Sequence, residues 1–182
     1  MEASRIVKDM EPQLTLRLRE LCAQAQLTLF PALLGAFAVV ASQRSQRARF
    51  RVGTDSAGRN QLELEGVVGF FVNQLVLELF VEGEAPARDW LGAVQAHLLE
   101  ALDHQDVPFD EVVKAVAPAR RLGQSPFFSV KVIYQERTPH RGGLGSLRVE
   151  PVAPSALGAE LDLVVGFVVS GSDVHVDMNY AT

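Results

Sequence analysis

Leu161-Asp162-Leu163-Val164-Val165-Gly166-Phe167-Val168-Val169 runs through Ser170-Gly171-Ser172-Asp173 into Val174-His175-Val176-Asp177-Met178-Asn179-Tyr180. The first segment is almost continuously apolar, which predicts a central strand covered on both faces. Ser170 to Asp173 has turn chemistry. Beyond it Val174, Val176, Met178 and Tyr180 alternate with His175, Asp177 and Asn179, predicting a final strand antiparallel to the first, with a polar outer face. Further upstream Phe128, Val130, Val132 and Tyr134 alternate with Ser129, Lys131, Ile133 and Gln135, another strand. Gln74 to Val81 is a strand of Leu and β-branched residues broken by Gly83 and Pro86, and Phe50 to Gly53 reads as a short one. Thr54 to Gly69 reads as a long polar, glycine-containing loop, a type that is usually functional or disordered.

Helices precede and interrupt these strands. Leu14, Leu18, Leu21, Cys22 and Ala25 fall on one face of a predicted helix after Pro12. Thr28 stands where a cap begins a second helix, with Pro31 in its first turn. That helix is apolar on nearly every side up to Ser42, so other elements should cover it. Arg44, Arg47, Arg49 and Arg51 follow, read either as favourable charge at the helix C-terminus or as a contact for an acidic partner. From Arg88 to His104 one face carries Trp90, Leu91, Val94, Leu98, Ala101 and Leu102. Asp106-Val107-Pro108 restarts a short helix that Pro118 stops, with Asp110 and Glu111 at its positive end and Lys114 near its negative end. The expectation is an α/β (α+β) two-layer sandwich, a mixed and partly antiparallel sheet packed by helices, in one domain over residues 1–182.

Composition narrows the function classes. The chain has 182 residues, 48% hydrophobic and 21% charged, with a formal charge of −5. That is globular composition without the basic excess of a nucleic-acid binder, so no nucleic-acid partner is expected. The lone Cys22 cannot form an internal disulfide and suggests a reducing compartment. Leu29 to Ala41 is shorter than the roughly 20 residues that span a bilayer. The first residues do not resemble a signal peptide. No membrane partner and a cytoplasmic setting are therefore expected.

Self-contained catalysis is not legible. The four histidines, His97, His104, His140 and His175, include no His-His pair and none has an Asp four residues later. HExxH, GxSxG, P-loop and GxGxxG patterns are absent. Cys22 lies on an apolar helix face and reads as a core thiol. His97, Glu100 and His104 share one helix shoulder. Three such donors could begin a metal site, but no fourth ligand is identifiable and a solvated shoulder is the simpler reading. No catalytic residue and no metal ligand is assigned.

Three further segments carry recognisable motifs. Gly53-Thr54-Asp55-Ser56-Ala57-Gly58-Arg59-Asn60 leads into Leu62-Glu63-Leu64-Glu65-Gly66-Val67-Val68-Gly69-Phe70-Phe71-Val72-Asn73-Gln74-Leu75. His104-Gln105-Asp106-Val107-Pro108-Phe109-Asp110 forms the second, and Arg120-Arg121-Leu122-Gly123-Gln124-Ser125-Pro126-Phe127-Phe128 the third. In this order they resemble the nonribosomal peptide synthetase condensation-domain family. Its counterparts are a Gly-Thr…Gly-Arg-Asn loop running into Ile-Gly-x-Phe-Val-Asn-Thr, then His-Gln-Asp-x-Pro-Phe-Glu, then Arg-Asp-x-Ser-Arg-Asn-Pro-Leu. The chain departs from these patterns at Gln74 for Thr, Glu78 where Arg is common, Asp55-Ser56 for a Pro-Val-like pair, and Arg121, Gly123 and Gln124 in the third motif. Glu78 reverses a charge and puts any family ion pair there in doubt.

The resemblance implies a chloramphenicol-acetyltransferase-like lobe, the C-terminal one of two that enclose a tunnel. It implies amide formation between a donor acyl thioester and an acceptor amine, both on phosphopantetheine arms of peptidyl carrier proteins, with no cofactor bound by the chain itself. The partners implied are those carrier proteins and the N-terminal lobe. The family's His-His-x-x-x-Asp-Gly motif belongs to that other lobe, so this chain is expected to be inactive alone. An alternative is a lobe of a degenerate condensation-like domain that recruits or binds other proteins. Gly69, Phe71 and Asn73 would line the tunnel, with Asn73 either donating a hydrogen bond to substrate or arm or fixing the loop to its neighbours. Gly58, Arg59 and Gln105 are structural motif positions. Asp106 would cap the helix near Pro108, Phe109 would enter the core and His104 would close the preceding helix. Ser125-Pro126 would break the chain before a strand, and Arg120 would pair with an acid or touch a carrier protein.

Overall fold

A computed structural model describes residues 2–81, 83, 85–117, 125–137, 147 and 159–182. Among the described residues six strands form one sheet: β1 (Ala3–Asp9), β2 (Arg49–Ser56), β3 (Asn73–Phe80), β4 (Val130–Glu136), β5 (Leu163–Ser170) and β6 (Asp173–Ala181). Their order is β1-β6-β5-β4-β2-β3. β4 runs parallel to both β2 and β5, and the remaining neighbours are antiparallel. The sheet is mixed and partly antiparallel, as the pattern predicts. β5 and β6 join through a two-residue turn in which Gly171 takes a left-handed φ of 59°.

The described residues also form five helices: α1 (Pro12–Ala25), α2 (Leu29–Ser45), α3 (Leu62–Glu65), α4 (Ala87–Asp103) and α5 (Phe109–Val116). The main core lies where Leu33, Leu34 and Ala38 of α2 and Val94 and Leu98 of α4 meet Val52, Leu77, Leu79, Val132, Val165, Phe167, Val169 and Val174 of the sheet. Each fully buried Leu or Val contributes roughly 1.5–3 kcal/mol relative to exposure. α2 and α4 cross closely at Gly35, where a Cβ would overlap the Leu91 side chain. Tyr134 of β4 stacks on Phe30 of α2 with ring centroids 5.4 Å apart. Cys22 is buried, and burial pushes its thiol pKa up, in keeping with a core thiol.

Several local expectations change. α1 turns Thr15, Leu18 and Cys22 inward, whereas Leu14 and Leu21 stay exposed. Thr15 can go under because its hydroxyl donates to Glu11 O at 3.2 Å. Thr28 occupies the cap position of α2, but its side chain makes no capping bond. Instead its N–H donates to Gln95 Oε1 of α4 at 2.8 Å. β1 has no counterpart among the predicted strands. It forms the sheet edge beside β6, joined by Arg5–Asp177 at 2.7 Å and Asp9–His175 at 2.6 Å. β2 extends to Ser56, past the predicted end at Gly53, and the loop beyond it contains α3. Of the arginine run only Arg44 lies in the last turn of α2, and Arg49 and Arg51 belong to β2. Val165, Phe167 and Val169 of β5 are buried, and Val164 and Val168 on its other face are half-buried, so the cover is complete on one face and partial on the other.

Candidate functional site

The segment between β2 and β3 folds back on itself. Gly58 takes φ +62°, a left-handed conformation open to glycine, and a Cβ there would overlap the Phe71 carbonyl oxygen. Arg59 donates to Leu64 O and holds its guanidinium 4.5 Å from the centre of the Phe71 ring, a cation–π contact. Gly69 lies under the same ring. The first and last parts of the segment are thus pinned together, and Arg59 ties α3 to the same point. Val68 and Phe70 project from this fold, 100% and 90% exposed, and Leu62 is 81% exposed.

The base of the loop is tied to the joint between α4 and α5. Asn73, the first residue of β3, donates through Nδ2 to Gln105 O at 2.8 Å and to Val107 O at 2.7 Å. Its Oδ1 accepts the N–H groups of Phe109 and Gln74, each at 3.0 Å. Ser56 donates its hydroxyl to Gln105 Oε1 and accepts Gly58 N–H at 3.2 Å. Asn60 donates to both oxygens of Asp106, at 2.9 and 3.2 Å.

These bonds bear on two expectations. Both amide hydrogens of Asn73 are engaged by main-chain carbonyls, which leaves no free donor for a substrate or arm. Asp106 makes no capping bond to α5, because its carboxylate faces Asn60 while the Phe109 N–H goes to Asn73. His104 occupies the C-cap of α4 and its carbonyl accepts Val107 N–H at 3.2 Å. Pro108 immediately precedes α5. Phe109 is half-buried in an aromatic cluster, 5.9 Å from Phe127 and 6.1 Å from Phe128. Phe128 lies against Gly53, where a Cβ would overlap its ring. Ser125 and Pro126 are half-buried just before this cluster. Arg120 lies outside the described residues.

Two charged groupings flank the site. Lys131 Nζ meets Asp55 Oδ1 at 2.8 Å, with the Lys131 side chain only 11% exposed. A charge so enclosed is tolerable because it is paired. Glu78 is matched within the chain by Arg49 and by Arg51, the latter at 3.3 Å. Arg49 above all holds its carboxyl below the ordinary range. His97, Glu100 and His104 line a groove of about 590 Å³ between α4 and β3, together with Arg49, Glu78 and Phe80. Among the described residues no three His, Cys, Asp or Glu side chains gather where they could hold a metal.

A family model of the condensation domain matches residues 1–182. The chain belongs to the condensation-domain family. As a condensation-domain chain it is 31% identical over 181 residues to malpinin synthetase of Mortierella alpina, covering 100% of this chain and 2% of that protein. It is 31% identical over 166 residues to tyrocidine synthase 3 of Brevibacillus parabrevis, covering 91% of this chain and 3% of the relative. Among solved structures it resembles the X-domain from teicoplanin biosynthesis, with a TM-score of 0.83 at 21% identity over 98% of this chain and 42% of that one. The condensation domain of the monacolin K polyketide synthase gives 0.80 at 17% identity over 100% and 42%. The X-domain has also been solved in complex with OxyB, a structure matched at TM-score 0.82 and 21% identity over 98% of this chain and 40% of that one. The expected chloramphenicol-acetyltransferase-like fold is the fold of these condensation domains. The chain thus spans a small fraction of its curated relatives and about two-fifths of these solved chains.

Ser56, Asn60 and the paired roles of Gln105 and Asn73 are not separable by sequence reading. Their bonds to the α4–α5 joint connect positions more than 30 apart in the chain, and no local spacing signals them.

Proposed function

We propose that residues 1–182 act as the C-terminal lobe of a two-lobed condensation domain, forming one wall of a tunnel in which an amide bond is made. The observation that carries this reading is the β2–β3 loop. It is braced from within by Gly58, Arg59 and Phe71 and at its base by Asn73, yet it presents Val68 and Phe70 to solvent. A rigid loop with exposed apolar side chains suits a surface that meets another body.

Condensation needs the amine held beside the thioester carbonyl and deprotonated, with the tetrahedral oxyanion stabilised. The 182 residues contain no His-His pair to centre that chemistry. In the proposed arrangement an N-terminal lobe supplies the His-His-x-x-x-Asp-Gly motif, and phosphopantetheine arms of peptidyl carrier proteins deliver acyl thioester and amine. This lobe supplies the wall around Gly69 and Phe71 and excludes water. The setting is cytoplasmic. Loaded donor and acceptor carrier proteins test the reading: the two-lobed domain should yield amide product and the lobe alone none. Turnover by the lobe alone, or an N-terminal lobe that turns over equally well without it, would overturn the proposal.

A second reading is a recruitment module. It is favoured by the likeness to an X-domain that has been solved in complex with OxyB. A degenerate His-His-x-x-x-Asp-Gly motif in the parent protein would decide for recruitment, and an intact one for synthesis.

A further inference from the structure

We infer that the α4–α5 joint, His104 to Phe109, is a positioning element for the β2–β3 loop, acting through Asn73 and Gln105. The inference rests on reading that loop as tunnel wall.

The two ends of the loop do not hold each other by strand pairing alone. Ser56, Gly58 and Asn60 at its start and Asn73 at its end all bond, directly or through Ser56, to the joint. The Asn73 carboxamide is used on both sides, two donated bonds to carbonyls either side of Asp106 and two accepted from main-chain N–H groups. Gln105 takes the hydroxyl of Ser56, whose oxygen orients Gly58 N–H. Gly58 in turn sets how near Phe71 can come. The joint itself is anchored because α4 enters the core through Val94 and Leu98. A loop carried on side chains locked by a packed helix takes its position from that helix. Movement of the joint therefore moves the face that carries Gly69 and Phe71.

Asn73→Asp separates positioning from simple helix support. It keeps an oxygen to cap Phe109 N–H but removes both donors and sets a negative charge against the Gln105 and Val107 carbonyls. The variant is made in the two-lobed condensation domain. Amide exchange over residues 57–72 should accelerate about tenfold or more while α5 keeps its protection. The kcat for amide formation should fall about tenfold with a smaller change in KM, as expected when reacting groups are misplaced rather than unbound. Gln105→Ala should produce the same pattern more weakly, and it serves as the test should Asn73→Asp fail to fold. Unchanged loop exchange in a folded variant overturns the positioning role and leaves the tunnel-wall reading standing. Faster exchange with unchanged turnover overturns the tunnel-wall reading.

Discussion

Gly58 packs so tightly beneath Phe71 that its α-carbon hydrogen stands where any side chain would strike the Phe71 carbonyl oxygen. Gly58→Ala would add this overlap to the strain of a left-handed φ of +62°. Such a position costs an L-residue about 1–2 kcal/mol before any clash. The expected outcome is a loop detached from its own base, read as lost amide protection over residues 59–72. Thermal melting should fall by several degrees at most, because the core between α2, α4 and the sheet is untouched. Full retention of loop protection would refute this account.

The exposed apolar residues of the loop lead to an expectation for the isolated chain. With Val68 wholly exposed and Phe70 nearly so, the isolated chain should self-associate as concentration rises. Light scattering across a concentration series measures this. Val68→Ser with Phe70→Ser should restore a concentration-independent mass. A wild-type chain that remains strictly monomeric would count against it.

Glu78 links acid stability to the arginine pair on β2. Hydrogen bonding from Arg49, reinforced by Arg51, lowers the folded carboxyl pKa from 4.5. Stabilisation from a depressed acid is therefore present above the unfolded pKa and is lost as pH falls through the lower folded value. Glu78→Gln should melt earlier than wild type at neutral pH, and the gap should close below about pH 4.5. Added salt should narrow it as well, since the pair is solvent-exposed. A gap of the same size at every pH from neutral down through the acid range would show that the side chain acts through packing instead.

Tyr134 should report on its environment directly. Burial first, then donation of its hydroxyl to Glu136 Oε1 at 2.9 Å, pushes its pKa up to about 12. Its contribution to stability is complete below the unfolded phenol value of about 10 and disappears as pH rises through the folded one. Ultraviolet titration should show a phenol that ionises only near pH 12, a step absent in Tyr134→Phe. Ionisation of all phenol below about pH 11 would contradict the burial of Tyr134 and its bond to Glu136.

Apolar rhythm makes most of the framework legible. α1, α2, α4 and the strands β3, β5 and β6 appear close to their predicted limits because each presents repeated Leu, Val or Ala to one core. Polar strand residues are harder to read. Thr54, Asp55 and Ser56 look like loop, yet Asp55 is neutralised by Lys131 and Ser56 is bonded to Gln105, so β2 continues through them. β1 is invisible in the sequence because its polar side chains make sense only opposite Asp177 and His175, more than 160 positions away. The motif residues can be recognised individually, but the bonding of Asn73 to the α4–α5 joint spans over 30 residues and leaves no trace in local spacing.

The pairing of β1 with β6 brings Ala3 opposite Ala181, and Thr182 N–H bonds to Glu2 O at 3.1 Å. A pull on Glu2 and Thr182 would therefore load a single corner of the sheet. Because the two strands are antiparallel, that tension would open them like a zip, one rung at a time from Ala3–Ala181 toward Asp9–His175, instead of shearing every rung together. Under such a pull the chain should yield first at this seam, at the opposite edge of the sheet from β3.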